Sequence, residues 1–532
     1  MENKDSKDNS KNKISRRDAL KGIATVPLLG VFTYDFWKKK ALEKAKNKLV
    51  QLDLGLSNDL PKIQLNSSKT NSGQIVRIGI IGVGGRGIAL LRAAGFVIPE
   101  EYTNLLTEAK NNNARAISKL QTYNNQEILN IQVVGVCDVF GLRAEKGVKI
   151  ASEGTQPNGE SANIKGVKLY KTYQELLANP EIDAVIIATP DFHHAHMTID
   201  AVKAGKHVYC EKAMTLTENE LHEVYNAVKE SGVVFQLGHQ NSKNETFKKA
   251  KEIIDKNILG KVTLIETTTN RNSKGGAWIR HLDGDGNPRP GSAETIDWEQ
   301  WLGNTPKIPF SLERFYGWAR WFDYDTGLAG QLFSHEVDAL NQIMGFGIPK
   351  TVVSSGGIYF HKEDRDMPDT FQSVLEYPDR KFTMLYSASL ASNRSRGRVF
   401  MGHDANMEVG GSLKVFANSE STQYKLKIKN GLIDTKQPFY SYPKKAINVD
   451  AISSATEKYY AERGLIDTQI KGKSMDITHL HIKEWIDVIR NGGITGCNIE
   501  KAFDDTVAVL MVHKSYVENR KVEWDPIKRK IV

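Results

Sequence analysis

Residues Gln74 to Gly87 read QIVRIGIIGVGGRG, a short apolar run ending in Gly-x-Gly-x-x-Gly at Gly82, Gly84 and Gly87. β-Branched residues dominate Ile75 to Ile81, as in a buried parallel strand, and Ile88-Ala89-Leu90-Leu91 opens a helix directly after the glycines. The first glycine permits a tight turn, the second lets backbone approach a pyrophosphate, and the third lets helix and strand pack closely. The helix N-terminus then offers unpaired N–H groups to phosphates. Gly82, Val83, Gly84, Gly85, Arg86 and Gly87 are thus the candidate cradle of a dinucleotide site in a doubly wound α/β domain.

A second strand-like run, Ile131 to Val136, ends at Cys137-Asp138, where a carboxylate can hydrogen-bond ribose hydroxyls. Asp138 lies 56 residues after Gly82, against about 20 in the usual unit, so the chain carries an insertion. Phe96 to Asn130, polar with a helical middle, reads as that surface excursion. An Asp here favours NAD because it repels a 2′-phosphate, while nearby Arg143 leaves NADP open.

With 532 residues, 40% hydrophobic and 25% charged, the chain has the makings of a globular protein of more than one domain. Its net charge of +9 is concentrated in residues 1–48, which hold 13 Lys/Arg against 6 Asp/Glu. The nearly balanced remainder gives no electrostatic case for nucleic acid. Cys137, Cys210 and Cys497 form no disulfide framework and read as core residues.

The charged N-terminus, Ser15-Arg16-Arg17-Asp18-Ala19-Leu20-Lys21, resembles a twin-arginine export signal, with an apolar stretch from Gly22 to Trp37 behind it. That stretch is short of the about 20 residues of a stable span. The reading is a signal or N-terminal membrane tether over 1–40, a linker over 41–73, and a periplasmic destination. That route carries folded proteins into a compartment without a nucleotide pool, so a cofactor would have to stay bound and be recycled. Phe96–Asn130 or the linker are the candidates for clamping it.

Further along, Ala184 to Ala188 reads as a strand ending in Thr189-Pro190-Asp191-Phe192-His193-His194, and His207 to Cys210 as another ending in Glu211-Lys212-Ala213. Residues of interest at strand C-termini fit the doubly wound pattern, where ligands bind. The segments GVGGRG, VVGVCD, ATPDFHHAHMTIDAVKAGKHVYCEKA and FQLGHQ resemble the Gfo/Idh/MocA oxidoreductase family from about Ile75 to the C-terminus.

The resemblance implies an N-terminal Rossmann domain over 74–213. A C-terminal α/β domain with an open, mainly antiparallel sheet, used for substrate binding and homo-oligomerisation, would occupy 214–532. Lys261–Arg271, Thr351–Tyr359, Thr370–Tyr377, Lys381–Leu390, Arg398–Met401 and Ser412–Ala417 are the expected strands of that sheet. The Gly-, Pro- and Trp-rich section Trp278 to Tyr324 is a long loop region, which usually signals function or assembly. Its Trp278, Trp298, Trp301, Trp318 and Trp321 read first as packing residues, with stacking on a sugar face as the alternative.

By the same resemblance, Thr189, Pro190, His194, Glu211, Lys212 and Gln240 join the glycine loop and Asp138 around NAD, or NADP. Lys212 corresponds to the lysine of the family's Glu-Lys-Pro motif, beside the substrate hydroxyl, although Ala213 replaces the proline. His335 matches the family's catalytic histidine, and Gln331 stands where an Asp often precedes it by one helical turn. Gln331 cannot exchange a proton, so the acid-base work would fall on His335, with a reference pKa near 6.5, and on Lys212. The histidine groups at 193–196 and 479–481 lack converging ligands, and no metal is expected. The implied activity is oxidation or reduction of a carbohydrate or polyol. A redox-neutral NAD-dependent glycosidase and a catalytically weakened sugar-binding relative are the alternatives.

Overall fold

In the computed structural model, residues 36–56, 74–442, 467–470 and 473–532 are described. The twin-arginine reading up to residue 35 and the linker from 57 to 73 lie outside them.

The first sheet has six parallel strands in the order β3-β2-β1-β4-β5-β6. They are β1 (Val76–Ile81), β2 (Ile131–Cys137), β3 (Lys168–Tyr170), β4 (Ala184–Ile187), β5 (His207–Cys210) and β6 (Phe235–Leu237). The order reverses between β1 and β4, which opens a crevice above the C-terminal end of β1. The expected boundary at residue 213 falls short. Thr217 and Glu220 form a capping box that starts helix Glu218–Ser231, left-handed Gly232 ends it, and the chain returns to add buried β6 to this sheet.

The second sheet has ten strands, antiparallel apart from one central parallel pair between Val262–Asn270 and Phe382–Ser389. It contains every expected strand and adds Ala405–Val409, Tyr440–Tyr442, Val522–Asp525 and Lys530–Ile531. Helix Ser334–Met344 is pinned to it by a buried ion pair. Arg398 Nε and Nη2 donate to Glu336 at 2.7 and 3.0 Å, and Thr267 Oγ1 donates to the same carboxylate at 2.5 Å.

Two further expectations change. The unpatterned linker over 41–73 is helical through residue 53, as part of a helix over 36–53; Val50 and Leu56 enter the core, and Asp53 pairs with Lys427 at 2.7 Å. The excursion after Phe96 is two helices, Pro99–Lys110 and Ala114–Asn124, that lean on Ser474 through Thr122 and Asn125.

The Trp-rich section docks on the nucleotide domain instead of hanging free. Asp297 N donates to Val139 O at 2.8 Å and Gly141 N to Thr295 O at 3.1 Å. Phe140 and Phe192 pack with Ile296, Trp301, Phe315, Trp321 and Tyr324 in one apolar cluster. No helix of the described residues is long and apolar enough to cross a membrane.

Candidate active site

A cavity of about 530 Å³ opens above β1, β2 and β4. Its floor carries Gly82, Gly84, Gly85 and Arg86, with Asp138, Thr189 and Pro190 at the neighbouring strand ends. Gly82 has φ +89°, and a Cβ there would stand 2.7 Å from Ala188 O; one on Gly87 would meet Gly82 O at 2.1 Å. A Cβ on Gly85 would meet nothing within 4 Å, so the space beside the loop is open. No side chain caps the helix Gly85–Ala93. An uncapped helix start facing an open, glycine-lined cleft is the shape a pyrophosphate fills.

Asp138 is tied to the loop, accepting from Val83 N at 2.6 Å and from Phe140 N at 2.9 Å. Burial raises its pKa, opposed by Arg143 and these two N–H groups. Arg143 stands between rings, 4.8 Å from the Phe315 centroid and 5.3 Å from that of Tyr316. Arg280, Arg289, Gln300, Trp301, Phe315, Tyr316 and Trp318 form the rest of the wall. The cover over the cradle is therefore the Trp-rich section. Phe96–Asn130, an expected clamp, contributes nothing to the wall.

Six residues expected to touch the cofactor, Val83, Gly87, His194, Glu211, Lys212 and Gln240, lie outside that wall. The His194 ring nitrogens face Ala213 O at 2.6 Å and Thr189 O at 3.0 Å, tying two strand ends together. Glu211 accepts from Arg86 Nε at 2.8 Å and from Gln240 Nε2 at 3.3 Å, and Gln240 also donates to Tyr209 Oη at 2.9 Å. They brace the cradle's Arg86 from behind.

Lys212 and Gln331 do meet: Lys212 Nζ donates to Gln331 Oε1 at 3.0 Å. Gln331 Nε2 in turn donates to Asp191 Oδ2 at 2.9 Å, which also accepts from Ala213 N at 3.1 Å. The Lys212–Ala213 peptide is cis although no proline follows. Asp325 adjoins the group. Burial and the like charge of Asp191 push its pKa well up, and burial raises Asp191 too, against the pull of Lys212. Neither acid was expected as a site residue. Asp191 was within reach of reasoning, in the strand-end run after Pro190, whereas nothing local marks Asp325.

Gln331 lies in a π-helical turn, Ala329–Phe333, which runs into the regular helix carrying His335. Such widened turns are frequent at functional sites. His335 is buried, and burial followed by the charges of Lys212 and His239 holds its pKa well below 6.5. At neutral pH it is a neutral imidazole, not the half-protonated group its reference pKa implied. The other histidine groups are used in hydrogen bonds, such as His193 Nε2 to Trp301 O at 2.9 Å and His479 Nδ1 to Ala93 O at 2.8 Å.

The glycine cradle on a doubly wound sheet and the second, mainly antiparallel sheet define a two-domain α/β fold with a dinucleotide-type cleft. Residues 76–239 match the Gfo/Idh/MocA model, described as an oxidoreductase family with an NAD-binding Rossmann fold. An uncharacterised oxidoreductase of Streptococcus pneumoniae is 27% identical over 249 residues, covering 46% of this chain and 57% of that protein. The 2,7-anhydro-N-acetylneuraminate hydratase of Mediterraneibacter gnavus is 22% identical over 289 residues, covering 52% and 66%. The chain thus spans under two thirds of these relatives. A levoglucosan dehydrogenase in complex with NADH and levoglucosan superposes with a TM-score of 0.54 at 14% identity, over 85% of this chain and 99% of that one, which shows the shared fold.

Proposed function

We propose that the protein is an NAD-dependent oxidoreductase acting on a CH–OH group of a carbohydrate or polyol. The observation that carries this reading is the part-buried hydrogen-bonded chain Lys212–Gln331–Asp191 with Asp325, assembled from both domains beside the glycine cradle. When bound, the nicotinamide supplies the hydride acceptor. The Lys212 ammonium donates to the substrate oxygen and stabilises the alkoxide as it forms. Gln331 Oε1 aims that ammonium. The neutral His335 ring takes the hydroxyl proton as the hydride leaves the carbon, and the Asp191–Asp325 pair sets the charge around Gln331 and Lys212.

A redox-neutral reaction on a glycoside or anhydrosugar is the second reading. The cleft walled from both domains, which favours a tightly held cofactor, and the likeness to an anhydrosugar hydratase support it. Reading Ser15 to Trp37 as an export signal, with the enzyme in the periplasm, fits either. The deciding experiment releases and identifies the nucleotide from purified protein by mass spectrometry, then offers polyols, free sugars, glycosides and anhydrosugars. Growth of reduced-nicotinamide absorbance supports the dehydrogenase. Cleavage or hydration without net redox change supports the alternative. A protein that neither carries nor binds a nicotinamide nucleotide overturns both.

A further inference from the structure

Behind His335, four buried side chains from separate segments turn toward one point. His239 follows β6, Asp338 lies one turn beyond His335, Cys497 precedes helix Ile499–Val517, and Asp505 sits within that helix. Each is at most 2% exposed, and their potential ligand atoms lie within 4.8 Å of one another. From His239 Nδ1 the distances are 3.8 Å to Asp338 Oδ1, 3.6 Å to Asp505 Oδ2 and 3.7 Å to Cys497 Sγ.

These separations are too long for good hydrogen bonds between an imidazole and a carboxylate. They are close to what a shared ion sets. Bonds of about 2.0–2.3 Å to a tetrahedral zinc put neighbouring ligand atoms roughly 3.3–3.7 Å apart. The outward oxygen of Asp505 is held, as in ligating carboxylates generally, by Asn341 Nδ2, which donates to Oδ1 at 3.1 Å. Gln342 Nε2 donates at 2.6 Å to Asp338 Oδ1, the oxygen that also faces His239. Among the described residues no lysine or arginine pairs with either carboxylate, and Asp338 Oδ2 has no hydrogen-bond partner despite full burial. Two acids and a thiol are packed this deeply around a single imidazole, an anionic ligand set of the kind a cation completes.

We propose that His239, Asp338, Cys497 and Asp505 form a structural zinc site that locks the His335 helix to helix Ile499–Val517 and to the end of the nucleotide-domain sheet. One sulfur, one nitrogen and two oxygens make a closed tetrahedral set with no open position, which suits zinc in a structural role. The ion would stand outside the relay of Lys212 and Asp191. Its effect on chemistry would pass through His335, whose ring centroid is 6.2 Å from that of His239.

The full chain, produced without a polyhistidine tag in zinc-supplemented medium and dialysed against metal-free buffer, is analysed for bound metals by mass spectrometry. About one zinc per chain is expected in the parent and in Cys210→Ser, falling at least tenfold in Cys497→Ser and Asp505→Asn. Parent protein that is metal-free and takes up no added zinc overturns the proposal, as does zinc content that the Cys497 and Asp505 changes leave intact. If those variants fail to fold, cobalt-loaded parent, Cys137→Ser and Cys210→Ser proteins decide. A thiolate-to-cobalt charge-transfer band with tetrahedral ligand-field bands in all three supports the site. A weak octahedral spectrum, or loss of the band in either serine variant, overturns it.

Discussion

Lys212 is held at 3.0 Å by a side chain that carries no charge of its own, so the ammonium keeps its full donor strength for a substrate oxygen. Lys212→Met keeps the volume of the stem and removes the charge. Turnover should fall below detection while bound nucleotide and melting temperature stay near those of the parent, and near-normal turnover would take Lys212 out of the mechanism. Asp325→Asn should lower kcat at least tenfold with little change in KM, because it removes an acid that acts on the Lys212 ammonium. A change in KM alone would make Asp325 a binding residue. Because His335 stays neutral well below pH 6.5, activity measured from pH 8 down to 5.5 should show no loss near 6.5 that His335→Gln abolishes. Lys212, Gln331 and His335 were reached through the family resemblance, which places them at a strand end and one helical turn apart. Asp325 was not, since its role comes from burial beside Asp191, a contact between residues 134 positions apart.

Strands that alternate cleanly, such as Phe382–Ser389, announce themselves by a period of two. Ala405–Val409 and Tyr440–Tyr442 are too short to do so and exist because a neighbour supplies their hydrogen bonds. The helix over 36–53 was hidden by its lysines, whose chains lie on its exposed side while Val50 is buried. The C-terminal helix Ile477–Asn491 is fastened to the nucleotide domain by His479. Its Nδ1–H donates to Ala93 O at 2.8 Å and its Nε2 accepts from Glu127 N at 3.1 Å. Only the neutral ring can make both bonds, and burial pushes its pKa down to about 4. Below pH 6.5 the unfolded chain takes up a proton that the folded chain refuses, so this group's contribution is intact at neutral pH and declines as pH falls from 6.5 to 4. The loss is about 3 kcal/mol at most. Urea midpoints of His479→Gln should be lower than the parent's at pH 7 and fall less steeply on acidification; parallel curves would show that His479 does not carry the acid sensitivity. Arg398→Met, which strands the buried Glu336, should cost about 3–5 kcal/mol and loosen the His335 helix. A urea midpoint within error of the parent's would count against that.

At the scale of the molecule, the second domain sends the section from Trp278 to Tyr324 back over the first, so that the nucleotide cleft is walled by residues from both. A cofactor seated there would contact both domains, which would slow its dissociation relative to a Rossmann cleft without that cover. The same consequence follows independently from the export reading of the N-terminus, because a compartment without free nicotinamide nucleotide requires a cofactor loaded before export and restored in every cycle. Tyr316 and Arg289 are wall residues that form little of the core, with the Arg289 guanidinium 5.7 Å from the Tyr316 ring. Removing both by Tyr316→Ala and Arg289→Ala should leave the fold intact and speed nucleotide release at least tenfold, equivalent to about 1.4 kcal/mol of binding. The parent should keep its nucleotide through extended dialysis, whereas the double variant should emerge depleted and regain activity when NAD is added. A parent that is purified empty and is reactivated only by added NAD would remove the case for a resident cofactor and, with it, the strongest reason to read Ser15 to Trp37 as an export signal.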